Sequence, residues 1–142
     1  MTDFEIYTPT AEEVRSGVLG QRIRQFNYRF VGEYGEMQPV WLSARDASGE
    51  LIAGLRGFVF LDWLRIDLLY VDEAMRGRGL GSRLLATGEE MAKALGARNA
   101  ALETFEWQAR EFYIRQGYEE FARIDNYFRG FYLAQMKKAL GA

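Results

Sequence analysis

The 142-residue sequence contains no cysteine and no histidine. Their absence excludes zinc sites built on Cys and His, Ser-His and Cys-His nucleophile pairs, thiol redox chemistry and disulfides. It also removes the one side chain whose ordinary pKa lies near neutral pH. Any chemistry must therefore use carboxylates, Tyr, Lys or Arg, backbone dipoles or a borrowed cosubstrate, and we expect no metal site.

A strong charge of either sign is also missing, since 18 Lys and Arg against 20 Asp and Glu give a net charge of −2. No general basic field is present to recruit nucleic acid or an anionic membrane. No stretch approaches the roughly 18 consecutive apolar residues of a membrane span. The start of the chain lacks the basic and apolar regions of a signal peptide. We expect no nucleic-acid partner, no membrane association and a cytosolic location.

The length fits one domain over residues 1–142, against roughly 150 residues per domain. Thr10 and Glu13 have the spacing of a capping box and open a long helix, in which Gly17 and Gly20 permit a break. Its apolar residues recur near every 3.6 positions, which predicts one buried stripe. Further helices are predicted at 84–95 and 106–116, and strands at 4–8, 38–45, 51–60, 63–71, 100–104, 118–124 and 128–138, with the last hairpin turning at Asp125-Asn126.

This order of elements is a meander, one βαβ crossover, and then a helix and a hairpin. It predicts an α/β (α+β) fold whose mixed sheet is partly parallel at its centre. Simple alternation along strand 63–71 puts Asp67 on one face with Leu69 and Val71.

The glycine-rich turn before the helix at 84–95 is the most informative stretch. Its glycines leave room for backbone N–H groups to approach a ligand. The helix start adds unpaired donors and the positive end of the helix dipole, and two arginines add charge. The turn therefore predicts a phosphate or pyrophosphate site. The residues concerned are Arg76, Gly77, Arg78, Gly79, Leu80, Gly81 and Ser82.

Two better-known phosphate sites fit this turn poorly. The glycine spacing is G-x-G-x-G, which differs from the G-x-G-x-x-G of dinucleotide-binding proteins, and no Gly-Lys-Ser/Thr of a P-loop follows. A solvated turn before an ordinary helix is the alternative to a binding site.

Two motifs in this order resemble those of the GNAT (N-acetyltransferase) family. Arg76-x-x-Gly79-x-Gly81 is similar to the family's acetyl-CoA signature, Q/R-x-x-G-x-G/A. The segment from Gln108 to Tyr118 is similar to the family's A-x-x-F-Y-x-x-x-G-F/Y. The resemblance implies a central sheet of six to seven strands, splayed between its two central parallel strands and flanked by helices.

The resemblance also implies roles for particular residues, with acetyl-CoA as cosubstrate. The backbone of strand residues would pair with the pantetheine arm, the amides of residues 76–82 would hold the pyrophosphate, and Tyr113 would be the general acid for the departing sulfur. The strand residues are Leu69, Tyr70 and Val71. Many relatives carry an Asn before the second motif, and here Gln108 or Thr104 is the candidate replacement.

The general base that accepts the amine proton must be a carboxylate or a water chain, because no histidine exists. Asp67 and Glu103 are the first candidates, and Glu33, Glu36 and Glu73 are weaker ones. Asp67 paired with Arg65 as a structural ion pair is an alternative, as is a base of water alone.

These expectations describe an acetyl-CoA-dependent N-acetyltransferase that transfers directly to a primary amine of a small molecule or peptide. The alternatives are a non-catalytic acyl-CoA-binding module and an NAD-type nucleotide-binding protein. The family often forms homodimers through terminal strands, so a homodimer is one option. In relatives the N-terminal helix and its loop form the acceptor pocket, which makes several aromatic residues candidates for its lining, as against ordinary core residues. These are Phe26, Tyr28, Phe30, Tyr34 and Trp41, with Trp107 and Tyr127 from the other side.

Overall fold

The structure, a computed structural model, describes residues 3–141. It divides into two compact units, one up to Tyr34 and one from Gly35 onward. The expected single domain stays a prediction. No helix within residues 3–141 is long and apolar enough to cross a membrane.

The first unit contains α1 (Ala11–Arg15) and α2 (Val18–Val31). Thr10 Oγ1 accepts a hydrogen bond from the backbone N–H of Glu13 at 3.1 Å, which confirms the predicted helix start. The break falls at Gly17, whose φ of +72° lies in the left-handed region. Residues 4–8 form no strand, so that prediction is wrong. A strand requires a hydrogen-bonded neighbour, and the strands of the described sheet all lie from Gln38 onward.

No residue of α1 or α2 is buried, which contradicts the predicted buried stripe. The packed side of α2 within this unit is polar and aromatic. The Arg24 guanidinium lies 4.6 Å from the centre of the Tyr34 ring, and the Tyr28 ring meets the Tyr34 ring edge-on at 5.1 Å. Asn27 Nδ2 donates to Tyr34 Oη at 3.0 Å. Periodicity identifies residues that share a face, but it does not determine which face packs.

The second unit is built on a six-stranded sheet in the order β1-β2-β3-β4-β6-β5. Only β3 and β4 pair in parallel, and the other neighbours are antiparallel. This confirms the predicted mixed α/β fold. The strands are β1 (Gln38–Arg45), β2 (Leu51–Phe60), β3 (Trp63–Val71), β4 (Asn99–Phe105), β5 (Glu119–Phe128) and β6 (Phe131–Ala139), and the helices of this unit are α3 (Leu80–Ala94) and α4 (Arg110–Arg115).

Helix α3 covers one face of the sheet across β1, β2 and β3. Leu85 and Ala92 of α3 belong to the same core as Leu55 and Leu64 of the strands. Gly88 lets the helix approach closely, because a Cβ there would lie 3.2 Å from Leu55 Cδ1. The α3 face of the sheet is therefore the one that carries the core.

Helix α4 and the last hairpin are among the elements whose predicted boundaries differ from the structure. Helix α4 begins at Arg110 and not at residue 106, because residues before it form a turn. The last hairpin turns at Arg129 and Gly130, whose φ values of +50° and +86° suit a two-residue hairpin turn. Asn126 lies at an irregularity of β5, and its Oδ1 accepts from the backbone N–H of Gly130 at 2.7 Å.

Strands β3 and β4 separate partway along their length. They pair from Trp63 with Asn99 to Ile66 with Leu102, and no pairing continues beyond that point. The last residues of β3 still pair with β2, so only the β4 side of β3 is open. The splay predicted between the two central parallel strands is confirmed.

A β-bulge lies at the point where the splay begins. Arg56 of β2 pairs with Leu68 and Gly57 pairs with Ile66, which leaves Asp67 as the extra residue. A Cβ on Gly57 would collide with the carbonyl oxygen of Arg65, so only glycine fits opposite the bulge.

The bulge corrects the predicted faces of β3. Leu64 and Ile66 are opposite Val59 and Gly57, and Leu69 is opposite Leu55. Directly opposite residues share a face, so Leu69 and Val71 lie on the core face with Ile66. Simple alternation predicts the wrong faces for the residues after Asp67, because the extra residue shifts the alternation by one position.

Candidate active site

A cavity of about 830 Å³ occupies the gap between the splayed strands. It extends from the turn before α3, past the open edge of β3, to the end of β4 and the inner side of α4. The predicted site residues among its lining are Asp67, Leu69, Val71, Arg76, Gly77, Gly79, Leu80, Gly81, Ser82, Glu103, Gln108 and Tyr113. Tyr70 and Arg78 are not part of this lining.

The glycine-rich turn forms one end of the cavity. Gly77 and Gly79 have φ values of +80° and +79°, a region that strains other residues, and a Cβ at either would meet nothing within 4 Å. The turn therefore presents bare backbone to open space. Helix α3 begins immediately after Gly79, so its first amides have no acceptor within the helix. The glycines allow the chain to turn here and leave the backbone N–H donors unobstructed.

Two side-chain contacts fix the position of this turn. Arg76 Nε donates to the carbonyl oxygen of Val71 at 3.0 Å, which joins the turn to the end of β3. Gln116 Nε2 donates to Ser82 Oγ at 3.0 Å, which joins the start of α3 to the end of α4. Arg76 and Arg115 supply the positive charge of the cavity lining. This end of the cavity suits an anionic group such as a pyrophosphate.

Tyr113 lies on α4 with its ring packed between Phe112 and Tyr118, at 5.1 and 5.8 Å. The residue is buried, and burial raises the pKa of its hydroxyl to about 12. Within residues 3–141 no group forms a hydrogen bond with this hydroxyl, yet no buried polar side-chain atom there lacks a partner. The hydroxyl therefore reaches the cavity as a protonated phenol that is available to donate.

Asp67 and Glu103 lie where the strands separate. Asp67 is the bulged residue of β3, and Glu103 follows the last β4 residue that pairs with β3. Glu103 Oε1 is 3.4 Å from Arg65 Nη2, and both side chains are partly exposed. Arg65 thus pairs with Glu103, in place of the alternative pair with Asp67. The structure brings both candidate carboxylates to the cavity.

Gln108 closes the turn between β4 and α4. Its Oε1 accepts from the backbone N–H of Phe105 at 2.7 Å. Buried Thr104 accepts from the backbone N–H of Ala109 through its Oγ1 at 3.3 Å. These two side chains hold the end of β4 open beside the cavity. Both side chains line the cavity, and their role in place of the Asn that many relatives carry stays a prediction.

Phe105 and Gln116 are among the cavity residues that could not be predicted from the sequence. Phe105 ends β4 and its ring stacks on Trp107 with the centroids 4.5 Å apart. Gln116 contacts Ser82 across 34 residues of sequence. The spacing of Gln116 from Tyr113 on one helix face was the available signal, but its partner is set by the fold.

A helix start with unpaired amides, an open strand edge and a protonated phenol thus line one cavity. This arrangement suits an extended ligand that carries an anionic group at one end. The sequence model of the Acetyltransferase (GNAT) family matches residues 5–118. The chain belongs to the GNAT family.

Similar proteins carry acetyltransferase names. The chain is 48% identical over 80 residues to a blasticidin-S acetyltransferase of Streptomyces morookaense, covering 56% of this chain and 59% of that protein. It is 34% identical over 83 residues to an acetyltransferase of Agrobacterium fabrum, covering 58% and 61%. The aligned part therefore spans about three-fifths of each relative. A crystal structure of an acetyltransferase from Bacillus cereus matches with a TM-score of 0.82 and 28% identity, over 96% of this chain and 97% of that one.

Proposed function

We propose that the chain transfers an acetyl group directly from acetyl-CoA to a primary amine of a small molecule. The observation that carries the proposal is the opening of β3 from β4 directly beside Tyr113 and the helix start of α3. Family membership and the acetyltransferase relatives support the reaction class. The relative named for blasticidin S makes small antibiotic amines the first acceptors to test.

The residues present fit acetyl-CoA as a substrate. The bare backbone at Gly77 and Gly79, with the first amides of α3, would hold the pyrophosphate, and Arg76 would add charge. The open edge of β3 at Leu69, Tyr70 and Val71 would pair with the pantetheine arm as an added strand does. Acetyl-CoA supplies an acetyl group activated as a thioester, which suits a chain without a thiol of its own.

Direct transfer forms one C–N bond and breaks one C–S bond. A backbone N–H near Leu69 or Tyr70 would stabilise the charge that develops on the carbonyl oxygen. Tyr113 would donate a hydrogen bond to the departing sulfur. With a pKa of about 12, against about 8.5 for a thiol, complete proton transfer from this phenol is uphill. Hydrogen-bond donation that strengthens as the sulfur becomes negative is therefore its main contribution.

The proton of the attacking amine would pass to Asp67 or Glu103. Replacing the working carboxylate, as Asp67→Asn or Glu103→Gln, should lower kcat about 100-fold. The other variant should change kcat much less. The measurement is kcat for both variants, with Glu119→Gln at the exposed start of β5 as the control. A wild-type kcat in both variants would show that neither carboxylate is the base.

The test of the proposed function is transfer to a panel of amines, followed by detection of free thiol. The panel contains blasticidin S, polyamines, amino acids and a peptide with a free N-terminus. We expect acetyl-CoA to bind and at least one small-molecule amine to be acetylated. Binding of CoA without turnover on any amine would favour a non-catalytic acyl-CoA-binding module. Acetylation of the peptide alone would contradict the small-molecule acceptor.

A further inference from the structure

Four aromatic side chains form a cluster at the β4 end of the cavity, and the proposed chemistry does not use them. Phe105 and Trp107 stack with an interplanar angle of 4°, Tyr127 lies 5.6 Å from Phe105, and Phe131 meets Trp107 edge-on at 5.1 Å. Trp107 and Tyr127 nevertheless stay 52% exposed. Packing among themselves therefore leaves broad ring surface uncovered, and three of the four, Phe105, Trp107 and Tyr127, line the cavity.

The register of the sheet places this cluster relative to the two sides of the splay. Ile66 and Leu102 are in register and both belong to the core under α3. Side chains alternate along β4, so Glu103 and Phe105 point to the opposite face. The ion pair between Glu103 and Arg65 agrees with this placement. The aromatic cluster thus shares with Glu103 the side of the sheet away from α3.

The two faces of the sheet would hold different reactants in the cavity. The glycine-rich turn, α3 and Tyr113 lie on one side, where the anionic and sulfur ends of the cosubstrate would be held. Glu103 and the rings lie on the other side, from which a second reactant can reach the same gap. A carboxylate attracts a protonated amine, and exposed rings of Trp and Tyr favour a flat partner stacked on them.

We infer that the cluster of Phe105, Trp107, Tyr127 and Phe131 is an acceptor subsite for a flat conjugated ring carried beside the reacting amine. The inference rests on the proposed function, because it takes the amine to enter at Glu103. The ring of the acceptor stacks on the cluster while its amine turns toward the splay. The preferred acceptors are therefore amines with an aromatic or heteroaromatic group, in contrast to purely aliphatic polyamines.

The experiment compares 2-phenylethylamine with 2-cyclohexylethylamine, which carry the same aminoethyl chain on a six-membered carbon ring that is flat and conjugated in the first amine and saturated in the second. We expect kcat/KM to favour phenylethylamine about five- to tenfold in the wild type, as aromatic pairing allows. Trp107→Leu should abolish the preference and leave KM for acetyl-CoA unchanged. Trp63→Leu, at the opposite end of β3, is the matched control and should keep the preference. Thermal melting of both variants checks that they are folded.

Each other outcome has a distinct meaning. Equal use of the two amines, or a preference that survives Trp107→Leu, overturns the subsite and leaves acetyl transfer standing. A raised KM for acetyl-CoA in Trp107→Leu also overturns it, because the cluster would then hold the cosubstrate. If no amine of any kind is acetylated, the proposed function fails. Calorimetry then measures whether the CoA-loaded protein binds each of the two amines, which tests the subsite without turnover. Binding of phenylethylamine that weakens in Trp107→Leu would still support it, and equal binding of both amines would overturn it.

Discussion

Replacing Tyr113 with Phe is expected to lower kcat about 100-fold, the size typical of a lost general acid or charge-stabilising donor. The substitution removes only the hydroxyl and keeps the ring that packs between Phe112 and Tyr118. KM for acetyl-CoA should change little, because the lost hydrogen bond strengthens mainly as charge develops on the sulfur. Steady-state kinetics on any accepted amine make the measurement.

The pH dependence of kcat gives a second expected result for Tyr113. Burial raises the pKa of Tyr113 to about 12, so the phenol stays protonated throughout the neutral and mildly alkaline range. The phenol should therefore still donate its hydrogen bond at alkaline pH, and we expect no loss of kcat below about pH 11. Tyr132→Phe is the matched control, since Tyr132 packs under Arg123 and does not line the cavity. An unchanged kcat in Tyr113→Phe would remove Tyr113 from the mechanism.

Replacing Glu89 with Gln is expected to lower the free energy of unfolding by about 2–3 kcal/mol. Glu89 is a buried carboxylate on α3 that accepts from Tyr118 Oη at 2.7 Å and from Lys138 Nζ at 2.9 Å. Removing its charge leaves a largely covered ammonium group without its counter-ion. The expected loss in free energy of unfolding is smaller than for a fully buried ion pair, because the Lys138 side chain is 26% exposed.

The neighbouring residue provides a control for this prediction. Glu90→Gln makes the same chemical change one position along α3, where the side chain is 74% exposed and pairs with Lys93. An exposed pair of this kind contributes a few tenths of a kcal/mol. Urea unfolding of the two variants should therefore show a large loss for one and almost none for the other. Equal losses would contradict the account of Glu89.

Features that depend on neighbouring residues in sequence could be predicted well. The helix start at Thr10 follows from a spacing of three residues, and the structure confirms its hydrogen bond. The turn between β3 and α3 follows from its glycines, of which Gly77 and Gly79 have positive φ. The core strands could be predicted from the sequence because each is a short run of apolar residues between turn signals.

Features that depend on distant partners could not be predicted. The bulge at Asp67 exists because β2 approaches β3 at Gly57, so the faces of β3 are set by another strand. Glu89 reads as an ordinary helix position, but its partners lie 29 and 49 residues away. Trp107 and Phe131 meet because β4 and the last hairpin are adjacent in the sheet. Such pairings need the whole topology.

We propose that the splay holds the thioester of acetyl-CoA with its sulfur at Tyr113. A crystal structure of the chain with CoA bound measures the distance from the CoA sulfur to Tyr113 Oη. We expect a hydrogen-bond distance there, with the pyrophosphate on the amides of residues 76–82. A CoA sulfur on the far side of β3, or a pyrophosphate away from the start of α3, would contradict it.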